Sequence, residues 1–400
     1  MNKEIYIRIK RGLIVPVIYA AAMCAIMYSG AKASEVLPSQ YRPVKIAAGI
    51  RQNPGAVAWT SDGKTIAFLN SSLQLYDVST GRLREINIPS LSFISAGPRN
   101  MLYLLYNEGP NRRLASFDTG SMERREIPVP HQPDAVFALP DGKRLLLVSV
   151  RLTQKKLWAE LSYTASVLDP ESSKHTIIYE AQKTIPGRVG PSDYRSAWLW
   201  AGLRPFDTEI LAVEYVKPPM VMSHLKIGLA DYVTGKSREA GRIEHSDMSL
   251  PVSWSPDGNR FAFPDLLGRP GIYNIKEARQ SGPVMSELIT GYYPSWNPQG
   301  SQIYFGGYII NSDGSGTEKL IDDGKESMGL WSPDGRMLAI ADRGSLYLIR
   351  DFRASVIPPD RTYDPALMKK RMLLKELLAD KLITEQEYEE RCNNLLKTME

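Results

Sequence analysis

The phrase Trp331-Ser332-Pro333-Asp334-Gly335, followed by the apolar run Met337 to Ala341, constrains this chain more than any other feature. It recurs as Trp254-Ser255-Pro256-Asp257-Gly258 and, with small changes, as Trp296-Asn297-Pro298-Gln299-Gly300 and Trp59-Thr60-Ser61-Asp62-Gly63. Each copy reads as strand, tight turn, strand. Proline presets the backbone at the second turn position, aspartate bonds back to its own main chain, and glycine takes the left-handed position that closes the hairpin. One hairpin cannot bury its own apolar face, so repetition at a fixed period decides the fold.

Aligned on the turn, the copies fall at Gly63, Gly142, Gly258, Gly300 and Gly335, with worn copies at Gly97-Pro98-Arg99-Asn100 and Arg204-Pro205-Phe206-Asp207. Asn100 and Asp207 stand where glycine stands elsewhere, as the residues that best tolerate a left-handed backbone. The turn-to-turn steps are 37, 42, 65, 51, 42 and 35 residues. Steps near 40 match a four-stranded propeller blade. The two long steps place insertions around residues 154–161 and 180–196. A third strand follows each hairpin, as in Leu73 to Val78 or Ser345 to Ile349, and a turn such as Ser79-Thr80-Gly81 leads to a fourth. The last repeat lacks a fourth strand, and Arg42-Pro43-Val44-Lys45-Ile46 at the chain start is spare. Its addition to the last blade would close the ring and remove the exposed edges. Seven blades is the resulting reading; six or eight are the alternatives left by the two worn copies.

The first 33 residues differ from the rest. Lys3, Arg8, Lys10 and Arg11 flank an uncharged apolar run from Leu13 to Tyr28, and Ala31-Lys32-Ala33 offers small residues for signal peptidase. The expectation is a signal peptide over 1–33, with an uncleaved anchor as the alternative. A run of about 16 residues containing Pro16 is short for a span needing roughly 20. Met23 before Cys24 makes a poor lipidation signal. Removing the five basic residues and one acidic residue of this leader leaves 44 against 43. The basic balance is therefore the leader's, and no charge case for nucleic-acid binding remains. Only Cys392 would survive cleavage, which excludes an intrachain disulfide in the mature chain.

The repeated phrase with its apolar strand resembles the propeller repeat of TolB and of the propeller domains of prolyl oligopeptidase relatives, across roughly residues 42 to 350. Tyr308 to Gly316 resembles the outer hairpin of that family. Such propellers host many activities, so the resemblance implies fold rather than function. After Pro358-Pro359 the composition turns helical. Pro365 to Ala379 has helical apolar spacing, and Thr384 with Glu387 makes a capping box for a second helix. The stretch Leu374 to Tyr388 resembles the short C-terminal (SHOCT) helical hairpin, with Lys381 where that family has glycine.

Catalytic signatures are scarce. No Gly-x-Ser-x-Gly elbow occurs, and too few residues follow Ile357 for a hydrolase domain. No turn fits the Ser-x-Asp-x-Gly-x-x-Trp box of sialidase-type propellers. His131, His175, His224 and His245 are scattered without zinc-ligand spacing and read as surface or loop residues. Asn311 to Ser315 faintly resembles a calcium loop, but its twelfth position is Asp322 rather than glutamate. The repeated tryptophans, fixed before each turn, read as blade packing rather than a sugar platform.

The remaining candidates lie in the loops that enter the innermost strands at the channel mouth: Asp193, Tyr194, Arg195, Asp247, Tyr292, Tyr293, Lys325 and Glu326, with Asp134 in the equivalent position of another repeat. Tyrosine and arginine among mixed charge is the composition of a contact surface. The sequence thus reads as an all-β, seven-bladed propeller over 34–357 with a helical hairpin over 358–400. The expected role is a non-catalytic, exported protein-binding or scaffold protein of the periplasm or cell envelope, with no cofactor, metal or nucleic acid. Its partner would be a protein, and the hairpin would serve oligomerisation or docking. The alternative is a glycan or peptide hydrolase or lyase using Asp193 and Asp247 as acid and base.

Overall fold

The computed structural model describes residues 41–352, apart from 54, 89, 157, 187–201, 206, 217–223, 245–251, 266–267, 282–288, 314–316 and 323. Beyond these it describes residues 370, 373–374, 377–378, 382–384, 386–388 and 390–391. The leader expected over 1–33 lies outside them.

Seven antiparallel sheets follow one another along the chain. Blade 1 spans 57–86, blade 2 91–127, blade 3 135–186, blade 4 203–244, blade 5 253–281, blade 6 295–319 and blade 7 328–349. Within each blade the strands lie in sequence order, so the chain winds outward and then steps to the inner strand of the next. Blade 7 holds three strands of its own, and Val44–Ala48 adds the fourth, with Val44 opposite Leu348 and Ala48 opposite Ser345. The closing strand starts two residues later than the sequence suggested, leaving Pro43, which has no N–H to offer, outside the ladder.

In the fourth blade the inner strand is described only from Gly202 onward. The blade's described sheet has three strands, Glu209–Val216, His224–Asp231 and Ser237–Glu244, and the inner position is a single bridge between Leu203 and Ile210. Two further hydrogen bonds, Leu211 N–H to Gly202 and Arg204 N–H to Glu209, hold this stub in place. The insertion at 154–161 takes a definite form. It lengthens the strands themselves, Leu145–Gln154, Trp158–Leu168 and His175–Pro186, into an arm beyond the inner strand Ala135–Ala138.

Each residue of the repeated phrase has an identifiable contact. In blade 7 the Gly335 N–H closes the turn on the Ser332 carbonyl at 2.8 Å, and Gly335 has φ 69°. The Ser332 hydroxyl donates to Asp334 at 2.6 Å and accepts the Met337 N–H at 2.9 Å, while Asp334 accepts the Arg336 N–H. Blades 1 and 5 repeat this set through Thr60 with Asp62 and Ser255 with Asp257. In blade 2 the left-handed residue is Arg99, at φ 56°, not Asn100. That turn is one residue shorter before its strand, so the register shifts, and Asn100 instead donates to Asp118 at 2.6 Å.

The tryptophans are buried, with Trp59, Trp254, Trp296 and Trp331 between 6 and 8% exposed. Three of their indole N–H groups cross to the inner strand of the preceding blade: Trp59 to Leu330, Trp254 to Gly202 and Trp331 to Ser295. The core correspondingly lies in the seams. Trp331 and Leu338 of blade 7 pack on Tyr304 and Ile309 of blade 6, and Trp59 and Phe68 of blade 1 on Met328 and Ala339 of blade 7.

A second repeated turn, between third and fourth strands, was not read from the sequence beyond isolated examples. Asp77, Asp118, Asp169, Asp231 and Asn274 each accept two successive backbone N–H groups two and three residues ahead, or in the case of Asp77 an N–H and the Ser79 hydroxyl. For Asp77 these bonds, led by Ser79, pull the carboxyl down to about 2.

In the tail, the described residues at 370, 373–374, 377–378, 386–388 and 390–391 are helical. Thr384 and Glu387 form the expected reciprocal cap, with Glu387 N–H to the Thr384 hydroxyl at 3.2 Å and Thr384 N–H to the Glu387 carboxylate at 2.8 Å. How the two segments pair lies outside the described residues.

Candidate functional site at the seam of blades 6 and 7

Alternating antiparallel strands place the Trp-Ser-Pro-Asp-Gly turns on one face of the ring. The links that enter each inner strand fall on the other, the entry face. Four of the candidate residues are described there. Tyr292 and Tyr293 precede the inner strand of blade 6, Ser295–Trp296, and Lys325 and Glu326 belong to the 3-10 turn Gly324–Glu326 before the inner strand of blade 7, Met328–Trp331. Asp193, Tyr194, Arg195 and Asp247 lie outside the described residues.

The four converge. The Lys325 ammonium stands 5.1 Å from the centre of the Tyr292 ring, a cation–π distance. Tyr293 is half-buried and packs against the blade 7–blade 1 core. Its phenol is pushed above the usual range by burial first, then by the negative charge of Glu326 and by Tyr292. Lys325 and Glu326 are exposed. The local fold explains why. Gly307 and Gly324 approach so closely that a Cβ on Gly324 would stand 2.7 Å from the Gly307 Cα, which pins the 3-10 turn against the blade 6 hairpin. Ser327 then fixes the end of that turn by bonding to the Gly324 carbonyl and the Tyr304 hydroxyl.

The sequence missed one member of this neighbourhood. Asp342 ends the second strand of blade 7, one residue beyond the last ladder pair Met328–Ala341 and so beside Ser327. It is 6% exposed, and among the described residues its Oδ1 has no hydrogen-bond partner. Burial raises its carboxyl above the ordinary range; Arg343, at 3.9 Å, pulls it back and Glu326 pushes it further. As an aspartate at a strand end it carried no sequence signal. Asp134, by contrast, is structurally engaged. It pairs with Arg112 and accepts the Val150 N–H at 2.7 Å, tying blade 3's entry link to blade 2.

Ring, seam contacts and entry-face patch define a seven-bladed β-propeller closed by its N-terminal strand. No protein-family model matches the chain, and no curated protein does. Among solved structures it is similar to a chain of the Kuenenia stuttgartiensis hydrazine synthase, at 16% identity over 80% of this chain and 99% of that one, with TM-score 0.49. A chain from a structure of the mitotic checkpoint complex is similar at 14% identity over 81% and 99%, TM-score 0.49. TolB from Acinetobacter baumannii is similar at 14% identity over 74% of this chain and 54% of that chain, TM-score 0.36. None of these likenesses carries an assignment of function.

Proposed function

We propose that the protein is a non-catalytic, exported binding propeller of the cell envelope that takes a protein partner on its entry face, centred on the seam of blades 6 and 7. The observation that carries this reading is the convergence of Tyr292, Tyr293, Lys325 and Glu326 from two blades onto one partly exposed patch. Aromatic rings with charge at their rim are what concentrates binding energy in protein interfaces. The rigid seam beneath supports it, because side chains already held in place lose little entropy on association.

Affinity capture from an envelope extract, using the mature chain and a Tyr292→Ala, Lys325→Glu double variant, tests the proposal. A discrete partner held by the wild type should bind the variant at least about 10-fold more weakly, roughly 1.4 kcal/mol. An identical partner list and affinity for both would remove the patch from the function. Turnover of a peptide or glycan library by the wild type, without any partner, would favour the hydrolase alternative.

A further inference from the structure

Two of the histidines that look scattered in the sequence meet in blade 3. His131 lies in the link entering that blade, and His175 opens its outermost strand. Their ring centroids are 4.9 Å apart with 58° between the planes. Among the described residues each ring keeps a buried Nε2 without a hydrogen-bond partner. One such nitrogen costs free energy, and two on adjoining rings leave a pair of lone-pair donors with nothing to hold.

The spacing is what a shared ion requires. With metal–nitrogen bonds of about 2.0–2.1 Å, and the half-width of each ring added, two imidazoles on one tetrahedral ion have centroids about 5 Å apart. We propose that His131 and His175 form a two-imidazole site for a borderline transition-metal ion, copper(II), nickel(II) or zinc(II), which staples the entry link to the outer edge of blade 3.

Burial lowers the basicity of both rings, and His175 and Arg151 lower that of His131 further, the direction that favours a neutral imidazole. Nitrogen donors select these ions over calcium and magnesium, which take oxygen. Among the described residues no group of three or more His, Cys, Asp and Glu stands ready to hold an ion, so the remaining ligands of the proposed ion would be water. With two protein ligands and the Arg151 cation nearby, binding is weaker than at a four-ligand structural site.

The test is thermal unfolding of the full mature chain with copper(II), nickel(II), zinc(II), calcium or magnesium added after chelation. The midpoint should rise by several degrees with the first three, most with copper, and not with calcium or magnesium. His131→Gln and His175→Gln should each abolish the rise while unfolding like the wild type in chelator. Electron paramagnetic resonance of the copper-loaded wild type, which needs no variant, should show coupling to two nitrogens. A rise that survives both substitutions overturns the site, as does no rise with copper or coupling to a single nitrogen.

Discussion

At the scale of single residues, the repeated phrase is more than a turn signal. Its serine or threonine and its aspartate lock the hairpin, and its tryptophan reaches into the neighbouring blade. In blade 5 its glycine has a second duty besides backbone freedom. A Cβ on Gly258 would stand 2.4 Å from the Pro205 carbonyl of blade 4, so no side chain fits at that turn, whereas one on Gly63 would meet Pro333 only at 3.5 Å. Asp342 is the opposite case, a residue that burdens the fold. Its folded-state carboxyl is raised, so the native state holds the proton more tightly than the unfolded chain does. Its cost is therefore present above the folded value and fades as the pH falls through it towards the unfolded value of about 3.9. Asp342→Asn should melt higher than the wild type at pH 7, with the gap narrowing on acidification and closing below about pH 4. Melting curves between pH 3.5 and 8 measure this; a gap independent of pH would disprove the burial account.

At the scale of elements, the closing strand matches the outermost strands of the other blades. Like Leu83–Ile86, Arg124–Ile127 and Thr317–Lys319, Val44–Ala48 has no buried residue, and Val44 is 60% exposed. Its contribution is therefore the ladder with Ser345–Ile349, the Ile50 N–H to Gly344 bond that continues it, and the stack of Tyr41 on Phe352 at 4.1 Å. Phe352 in turn meets Trp331 edge-on at 4.8 Å, which carries the closure to the inner strand. A chain beginning at Gly49 should melt several degrees lower than one beginning at Ser34 and aggregate faster, because strand Ser345–Ile349 becomes an open edge. Differential scanning calorimetry with light scattering reads both effects, and an unaltered transition would show that the seams alone hold the ring.

For the whole molecule, stability resides between blades rather than within them, since each sheet buries its faces only against its neighbours. A ring of this kind needs no disulfide and leaves the tail free for another use. The described helical residues after the Thr384 cap, 386–388 and 390–391, are too few to persist alone in water, and the helical hairpin expected from the sequence would have little core of its own. We therefore expect a chain ending at Ile357 to be a monomeric propeller, and the full mature chain to self-associate or gain a tail-dependent partner. Light scattering and pull-down on the two chains compare these states; equal mass and equal partners would leave the tail without that role.

Local signals carried most of the architecture. Turn chemistry, strand alternation and the repeat period are written in neighbouring residues, so blade number, blade order and the spare N-terminal strand were legible from Trp59 to Gly335. What depended on distant residues was not. Arg99 takes the left-handed place because the blade 2 turn shortens by one residue, which an alignment on Asn100 hides. The convergence of Tyr292 with Lys325, the burial of Asp342 and the meeting of His131 with His175 arise only when separate links and strands are brought side by side. Period and turn type follow from steric rules along the chain, whereas burial and the charge around a group are set by neighbours that only the closed ring supplies.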